Sequence, residues 1–234
     1  MIVGLVGDVE EHQKRESRRL EDFLRPSELC DSDNPLVKTG TESITRHAET
    51  SRDAAIKIFF FVRDKIPLAF VNPRQTASET LRIGRGSCFT KATLQMAMLR
   101  AVGIPARFRV LEFKGNDPAE WEGILPRIAV PMMPEQFPHY LVEVYLDGTW
   151  IMADATFDKA LIVDIEDWNG REDVCSIEDE AILCDMGTRT SIREEARKLD
   201  ELYRVPAFLS LNAYRFFWVL NLYLKVQRFK NRLF

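Results

Sequence analysis

The sequence predicts a fold of mixed helices and strands, with a central helix, an antiparallel hairpin and helical segments at both ends. Three observations carry that expectation. Residues 88–102 are apolar nearly all round and stop at Gly103, with Pro105 behind them; a helix with no clean polar face belongs in the middle of a core. Residues 139–146 and 149–156 flank Asp147-Gly148, a dipeptide suited to the tight turn of a β-hairpin. The last part of the chain, from residue 176, reads as helical.

The N-terminal region, 1–50, is read as a helical extension. Met1 to Asp8 is short and apolar, with no basic leading segment and with acids following at once. It reads as a strand or tail, not a secretory signal. A helix is expected from about Glu10 to Leu24, followed by a polar stretch through Asp31, Asp33 and Asn34. The next helix spans Ser51–Lys65. Ala55, Ile58, Phe59, Val62 and Ile66 recur at three- and four-residue spacing, Thr50 or Ser51 can cap it, and Pro67 lies just beyond.

The core region is placed at 51–165. After the 88–102 helix, a strand is expected over Ala106–Glu112, with Phe108 and Val110 alternating with Arg107 and Arg109. A proline-rich loop then runs from Gly115 to Pro138, and its position before the hairpin makes it a lid or a pocket wall. Leu161–Ile165 can add a strand. In the C-terminal region, 166–234, Ser191 and Glu194 form a capping box ahead of a helix. Pro206 then precedes a final aromatic helix over Ala207–Leu224.

Composition narrows the function. Hydrophobic residues at 46% are enough to fill a core, and a net charge of −4 offers no basic field for nucleic acid. The cysteines are Cys30, Cys88, Cys175 and Cys184. None forms a C-x-x-C pair, so zinc spacing is absent and no metal or cofactor is expected. Cys175 and Cys184 lie close enough to permit a bridge without predicting one. So few thiols in a chain of this length point to a reducing, cytoplasmic setting.

The hairpin geometry can be worked out from its turn. If Leu146 pairs with Thr149, Glu143 lies opposite Met152, Leu141 opposite Asp154, and His139 opposite Thr156. His139 and Asp154 then share a face as diagonal neighbours, roughly 7–8 Å apart at the backbone. A carboxylate there can accept the imidazole Nδ1–H and fix its tautomer. A slip of one residue would place the two on opposite faces. Cys88 stands in the first turn of its helix, where unpaired amides and the helix dipole favour a thiolate and can stabilise an oxyanion. Gly86 is expected to clear space for substrate. Cys88 as nucleophile, His139 as base and Asp154 as orienting acid make a kit for acyl transfer.

These residues carry a family resemblance. G-S-C-F-T-K-A-T-L-Q-M-A-M-L-R-A-V-G-I-P-A-R, residues 86–107, resembles the nucleophile helix of transglutaminase-like proteins. H-Y-L-V-E-V-Y-L-D-G-T-W-I-M-A-D-A-T, residues 139–156, resembles their histidine–aspartate hairpin. The likeness runs from Ser51 to about Asp164. It implies a papain-like α+β core, with the Cys88 helix packed on an antiparallel sheet, and thiol chemistry on peptide or amide bonds, by hydrolysis or by acyl transfer to an amine. It implies a peptide or protein substrate, with Cys88, His139 and Asp154 at the family's catalytic positions. Relatives often carry a side chain upstream that assists the oxyanion, and Gln75 and Arg82 are candidates. Tyr140 stands where many relatives have alanine, a change expected to alter the cleft wall. Nothing in the chain matches a calcium loop.

Other readings stand beside these. His12 and His47 lie in charged segments and read as solvated. Asp158 and Asp164 are rivals to Asp154, although Asp158 falls beyond the paired region. Arg107 and Arg109 could meet an acidic substrate, but a solvated strand face suits them better. The 207–224 run, followed by Lys225, Arg228, Lys230 and Arg232, could lie on a membrane surface. A packed helix is preferred, and Asn212, Arg215 and Asn221 argue against a span. A non-catalytic module of the same fold, for peptide binding or assembly, is the alternative to an enzyme.

Overall fold

The computed structural model describes residues 20–118, 121, 124–177, 179–189, 192–202 and 210–232. Most of the expected 10–24 helix, the 1–8 segment, His12, Ser191 and Pro206 lie outside the described residues.

Among the described residues, four whole helices lead into the sheet: α1 (Pro35–Thr45), α2 (Ser51–Lys65), α3 (Ala77–Ile83) and α4 (Cys88–Ala101). Each begins on a side chain that accepts a first-turn amide. Asn34 caps α1, Thr50 caps α2, and Thr76 with Glu79 closes a capping box on α3. Helix α4 is buried without a break from Phe89 to Leu99. Burying Leu94, Met96, Met98 and Leu99 contributes roughly 1.5–3 kcal/mol each. Its polar residues are answered internally: Gln95 donates to the Ala153 carbonyl at 3.0 Å, and the Thr93 hydroxyl to that of Phe89 at 2.8 Å.

The sheet has four strands in the order β3-β2-β1-β4, every neighbouring pair antiparallel: β1 (Ala106–Lys114), β2 (Gln136–Leu146), β3 (Thr149–Ala153) and β4 (Ile182–Arg189). Leu146 pairs with Thr149 and Glu143 with Met152, the register that the Asp147-Gly148 turn predicts. Gly148 has φ +87° and Asp147 φ +49°, as this tight turn requires. Pairing ends at Val142–Ala153, so Leu141 and Asp154 are not ladder partners as expected. Beyond Ala153 the chain forms a parallel bridge to Val174 instead, with the Asp154 amide donating to the Val174 carbonyl at 3.1 Å. Strand β2 starts at Gln136, three residues earlier than expected, because it continues to pair with β1 as far as Lys114.

Two further expectations are corrected. Residues 161–165 form turns, with the Leu161 and Ile162 amides bonded to the Asp158 carbonyl, and not a strand. Residues 166–234 are not simply a helical extension, because β4 closes one edge of the sheet. After it come α5 (Ile192–Leu202) and α6 (Ser210–Asn231).

The core has two parts. The larger packs α2 and α4 against one face of the sheet, through Ile58, Phe59, Val62, Phe108, Val142 and Val144. The smaller gathers Leu68, Phe113, Trp121, Phe137, Phe157, Leu220 and Leu224. Arg107 and Arg109 are not a solvated face. Both pair with the buried Glu143, at 2.7 and 3.0 Å, Arg109 also pairs with Asp185, and Arg107 lies over the Trp150 ring at 4.0 Å.

Candidate active site

A narrow, mostly apolar cleft opens where α4, β2 and the smaller core cluster meet. Cys88, His139, Ser87 and Thr156 are its polar residues, among Leu68, Phe70, Phe113, Trp121, Phe137 and Phe157.

Cys88 is the first residue of α4. Ser87 caps the helix: its Oγ accepts from the Thr90 amide at 3.4 Å, while Thr90 Oγ1 accepts from the Ser87 amide at 2.9 Å. The amides of Cys88 and Phe89 fall in the first turn, which offers them no intrahelical acceptor, so the positive end of the helix faces the cleft. Gly86 has a different reason from the one expected. A Cβ there would come within 2.5 Å of Thr90 Oγ1 and 3.1 Å of Lys91 Cγ, so the glycine makes room for α4 itself and not for substrate. Its backbone also bridges Leu68, with the Ala69 amide donating to the Gly86 carbonyl at 2.8 Å. That bridge ties one cleft wall to the turn before the cysteine.

His139 lies on the cleft side of β2 and is buried. Its Nε2 meets Asp154 Oδ2 at 2.6 Å. The expected partner nitrogen was Nδ1; with Nε2 engaged by Asp154, Nδ1 is the ring nitrogen left free for Cys88, which lines the same cleft. The neighbouring side chain points the other way. Tyr140 packs on Phe89 and Phe108 in the core and donates from its hydroxyl to Glu195 at 3.1 Å, so it holds α5 and does not shape the cleft.

Asp154 is fully buried and well supplied with donors. Oδ1 accepts from the Thr156 amide at 3.0 Å, and Oδ2 accepts from the Ser176 amide at 3.0 Å and from the Ser176 hydroxyl. Burial alone would favour the protonated acid. The His139 charge, the hydrogen bond to that ring and the Ser176 and Thr156 donors outweigh it, and hold the carboxyl well below the usual carboxylate range. In the same way burial disfavours the imidazolium, yet the Asp154 charge, the hydrogen bond to Asp154 and the proximity of Cys88 hold His139 protonated well above its ordinary value. The pair is therefore biased to imidazolium and carboxylate.

The structure brings Cys88, His139 and Asp154 together and leaves their rivals elsewhere. Asp158 is taken by Arg228 of α6 and by the Leu68 amide, while Asp164 and His47 are exposed. Neither Gln75 nor Arg82 lines the cleft: Arg82 is exposed, and the Gln75 Oε1 is buried without a hydrogen-bond partner among the described residues. The loop between β1 and β2 acts as a wall, with Trp121 and Ile124 on the cleft beside Phe137 of β2, and the Trp121 indole N–H donates to the Gly115 carbonyl at 2.6 Å. Ser176 escaped sequence reasoning, because only the bridge at Val174 carries it to Asp154.

All four cysteines are free thiols. Cys30 is fully buried, and burial pushes its thiol up to about 12. Among the described residues no group of three or more His, Cys, Asp and Glu could hold a metal ion, and no helix is long and apolar enough to cross a membrane.

Comparison with known proteins agrees with this architecture. No curated protein matches the chain. A crystal structure of a candidate cysteine protease from Cytophaga hutchinsonii aligns over 74% of this chain and 47% of its own, at 19% identity and TM-score 0.51. The chain thus spans about half the length of that protein, and at this identity the likeness speaks for the fold. A candidate protease from Parabacteroides distasonis aligns over 61% of this chain and 26% of its own, at 18% identity and TM-score 0.37. The family model of the transglutaminase-like superfamily matches residues 38–155, from within α1 to just past Asp154. With half its length matched, and with α4 and the β2–β3 hairpin inside the match, the chain belongs to the transglutaminase-like superfamily.

Proposed function

We propose that this protein is a thiol-dependent enzyme acting on peptide or amide bonds, with Cys88 as nucleophile, His139 as acid and base, and Asp154 as the group that orients His139. The observation that carries this reading is one imidazole bonded through Nε2 to a buried carboxylate and lining the same cleft as a cysteine at the start of a helix.

The chemistry follows from that placement. The Cys88 sulfur attacks the substrate carbonyl, and the developing oxyanion lies against the first-turn amides of α4. As the C–N bond breaks, the imidazolium of His139 gives its proton to the leaving amine. A thioester on Cys88 remains. His139, now neutral, takes a proton from the second acceptor, which attacks the thioester and frees the thiolate. Water as that acceptor gives hydrolysis; an amine gives acyl transfer. Asp154 stays ionised throughout and keeps Nδ1 directed at the sulfur.

The test is selective alkylation coupled to turnover. At about pH 6.5, iodoacetamide is expected to label Cys88 well before Cys30, Cys175 and Cys184, as read by peptide mass. Cys88→Ala is expected to abolish turnover of a peptide-amide library while leaving the melting temperature unchanged. Labelling of Cys88 no faster than of Cys184, or full activity in the alanine variant, would refute the assignment.

A further inference from the structure

Helix α6 presents two apolar faces, and only one of them is covered. On the inner face Leu220 and Leu224 are buried, Phe217 stacks on Phe70 at 5.9 Å, and the Asn221 amide pairs with both backbone groups of Phe70, at 2.8 and 3.0 Å. Arg228 completes this face with Asp158. On the outer face Trp218, Leu222, Val226 and Phe229 recur at steps of four, four and three, so they form a single stripe, with Val219 beside it. All five are exposed, Trp218 and Phe229 by 66% and 64%.

The borders of the stripe are cationic. At 100° per residue, Lys225 and Arg232 fall along one edge and Lys230 along the other. These three are exposed and carry no ion pair among the described residues. Residues 203–234 contain six Lys and Arg and no Asp or Glu, in a chain whose overall charge is −4. An aromatic and aliphatic stripe between cations is matched by a surface that is apolar inside and anionic at its rim.

We propose that the outer face of α6 lies on an anionic lipid surface. Trp218, Leu222, Val226 and Phe229 enter the boundary between headgroups and acyl chains, and Lys225, Lys230 and Arg232 sit at the level of the lipid phosphates. A second copy of this helix fits the stripe less well, since each copy brings only cations to its edges and no acid to answer them. The helix lies in the surface and does not span it. Because its inner face backs onto Leu68 and Phe70, attachment places the cleft beside the membrane. The proposal does not depend on the catalytic reading.

Vesicle flotation of the full chain tests it, with phosphatidylcholine vesicles compared with vesicles that also contain phosphatidylserine. The protein is expected to float with the anionic vesicles and to stay below with the neutral ones. Lys225→Glu combined with Lys230→Glu and Arg232→Glu should abolish flotation, each neutralised cation alone weakening it roughly fivefold. Trp218→Ser with Phe229→Ser should also release the protein, with an unchanged melting temperature, since neither side chain belongs to the buried core. Recovery in the unbound fraction with both vesicle types overturns the proposal. A dimeric mass by light scattering would then assign the stripe to a second copy, and a monomeric mass to the chain's own residues. Equal flotation on both vesicle types, insensitive to the triple glutamate variant, overturns it as well.

Discussion

Lys91 follows Cys88 by three residues on α4, but its ammonium points into the protein, donating to the Thr156 carbonyl at 2.7 Å and the Arg63 carbonyl at 3.2 Å. It thereby joins α4 to the segment that carries Asp154. Burial lowers its pKa from 10.5 to about 7, against the pull of Asp158 and Asp154. The folded chain therefore holds fewer protons than the unfolded chain between those values, and this residue adds stability as pH rises through that window. His139 works in the opposite sense, since its raised value gives stability that is present below about 6.5 and lost as pH climbs through the folded value. Comparing the wild type with Lys91→Met isolates the lysine: the difference in unfolding free energy is expected to grow with pH between about 7 and 10, measured by urea titration at several pH values. A difference that stays flat would mean that Lys91 is not titrating there. At this scale the site was partly legible. That the His139 and Asp154 side chains share a face was legible from alternation along a hairpin. The nitrogen that faces the acid was not, because it depends on ring orientation, and neither was Ser176, which reaches Asp154 from 22 residues further along the chain.

Helix α4 is held at its start by Ser87 and Thr90, each answering the other's amide. Ser87→Ala is expected to cost about 1 kcal/mol of stability, and to lower turnover by more than that loss explains, because Cys88 stands on the turn that this cap fixes. Chemical unfolding and kinetics on the same preparation check both parts. Gly86→Ala should cost more, roughly 1–3 kcal/mol, since its methyl would strike Thr90 and Lys91 within the same turn. Elements with strong periodicity were legible. Helix α2 runs over the 51–65 span that its apolar spacing predicts, and α4 ends one residue short of the expected limit. Helix α3 was missed although Thr76 and Glu79 spell a capping box, because only seven residues follow and no apolar stripe can develop over so few. Helix α1 hides in a polar stretch where only Val37 and Thr41 are buried. Strand β4 was missed for a related reason: it is an edge strand with no fully buried residue and an irregular register to β1, so it lacks the alternation that marks a strand.

At the scale of the molecule, residues distant in sequence share the work of shaping one cleft. Arg228 of α6 pairs with Asp158 and also donates to the Leu68 carbonyl at 2.8 Å, so the last described helix supports the wall that also bridges Gly86. Arg228→Ala would leave Asp158 buried without its ion partner. A loss of about 3–5 kcal/mol is expected, together with weaker substrate binding, measured by thermal unfolding and by KM. Loss of stability without any change in KM would detach the helix from the cleft. The mix of helices and strands and the central place of α4 were legible from pattern alone, whereas the docking of α6 was not, because both of its faces are apolar and the sequence does not mark which one is covered. The same docking has a consequence for protein synthesis. Cys88, His139 and Asp154 all leave the ribosome before Asn221 and Arg228 are translated, so the Leu68–Phe70 wall has no backing while the chain is being made. While the chain is being made, the cleft around Cys88 and His139 is therefore unfinished, and its wall is completed only once α6 has been synthesised and docked.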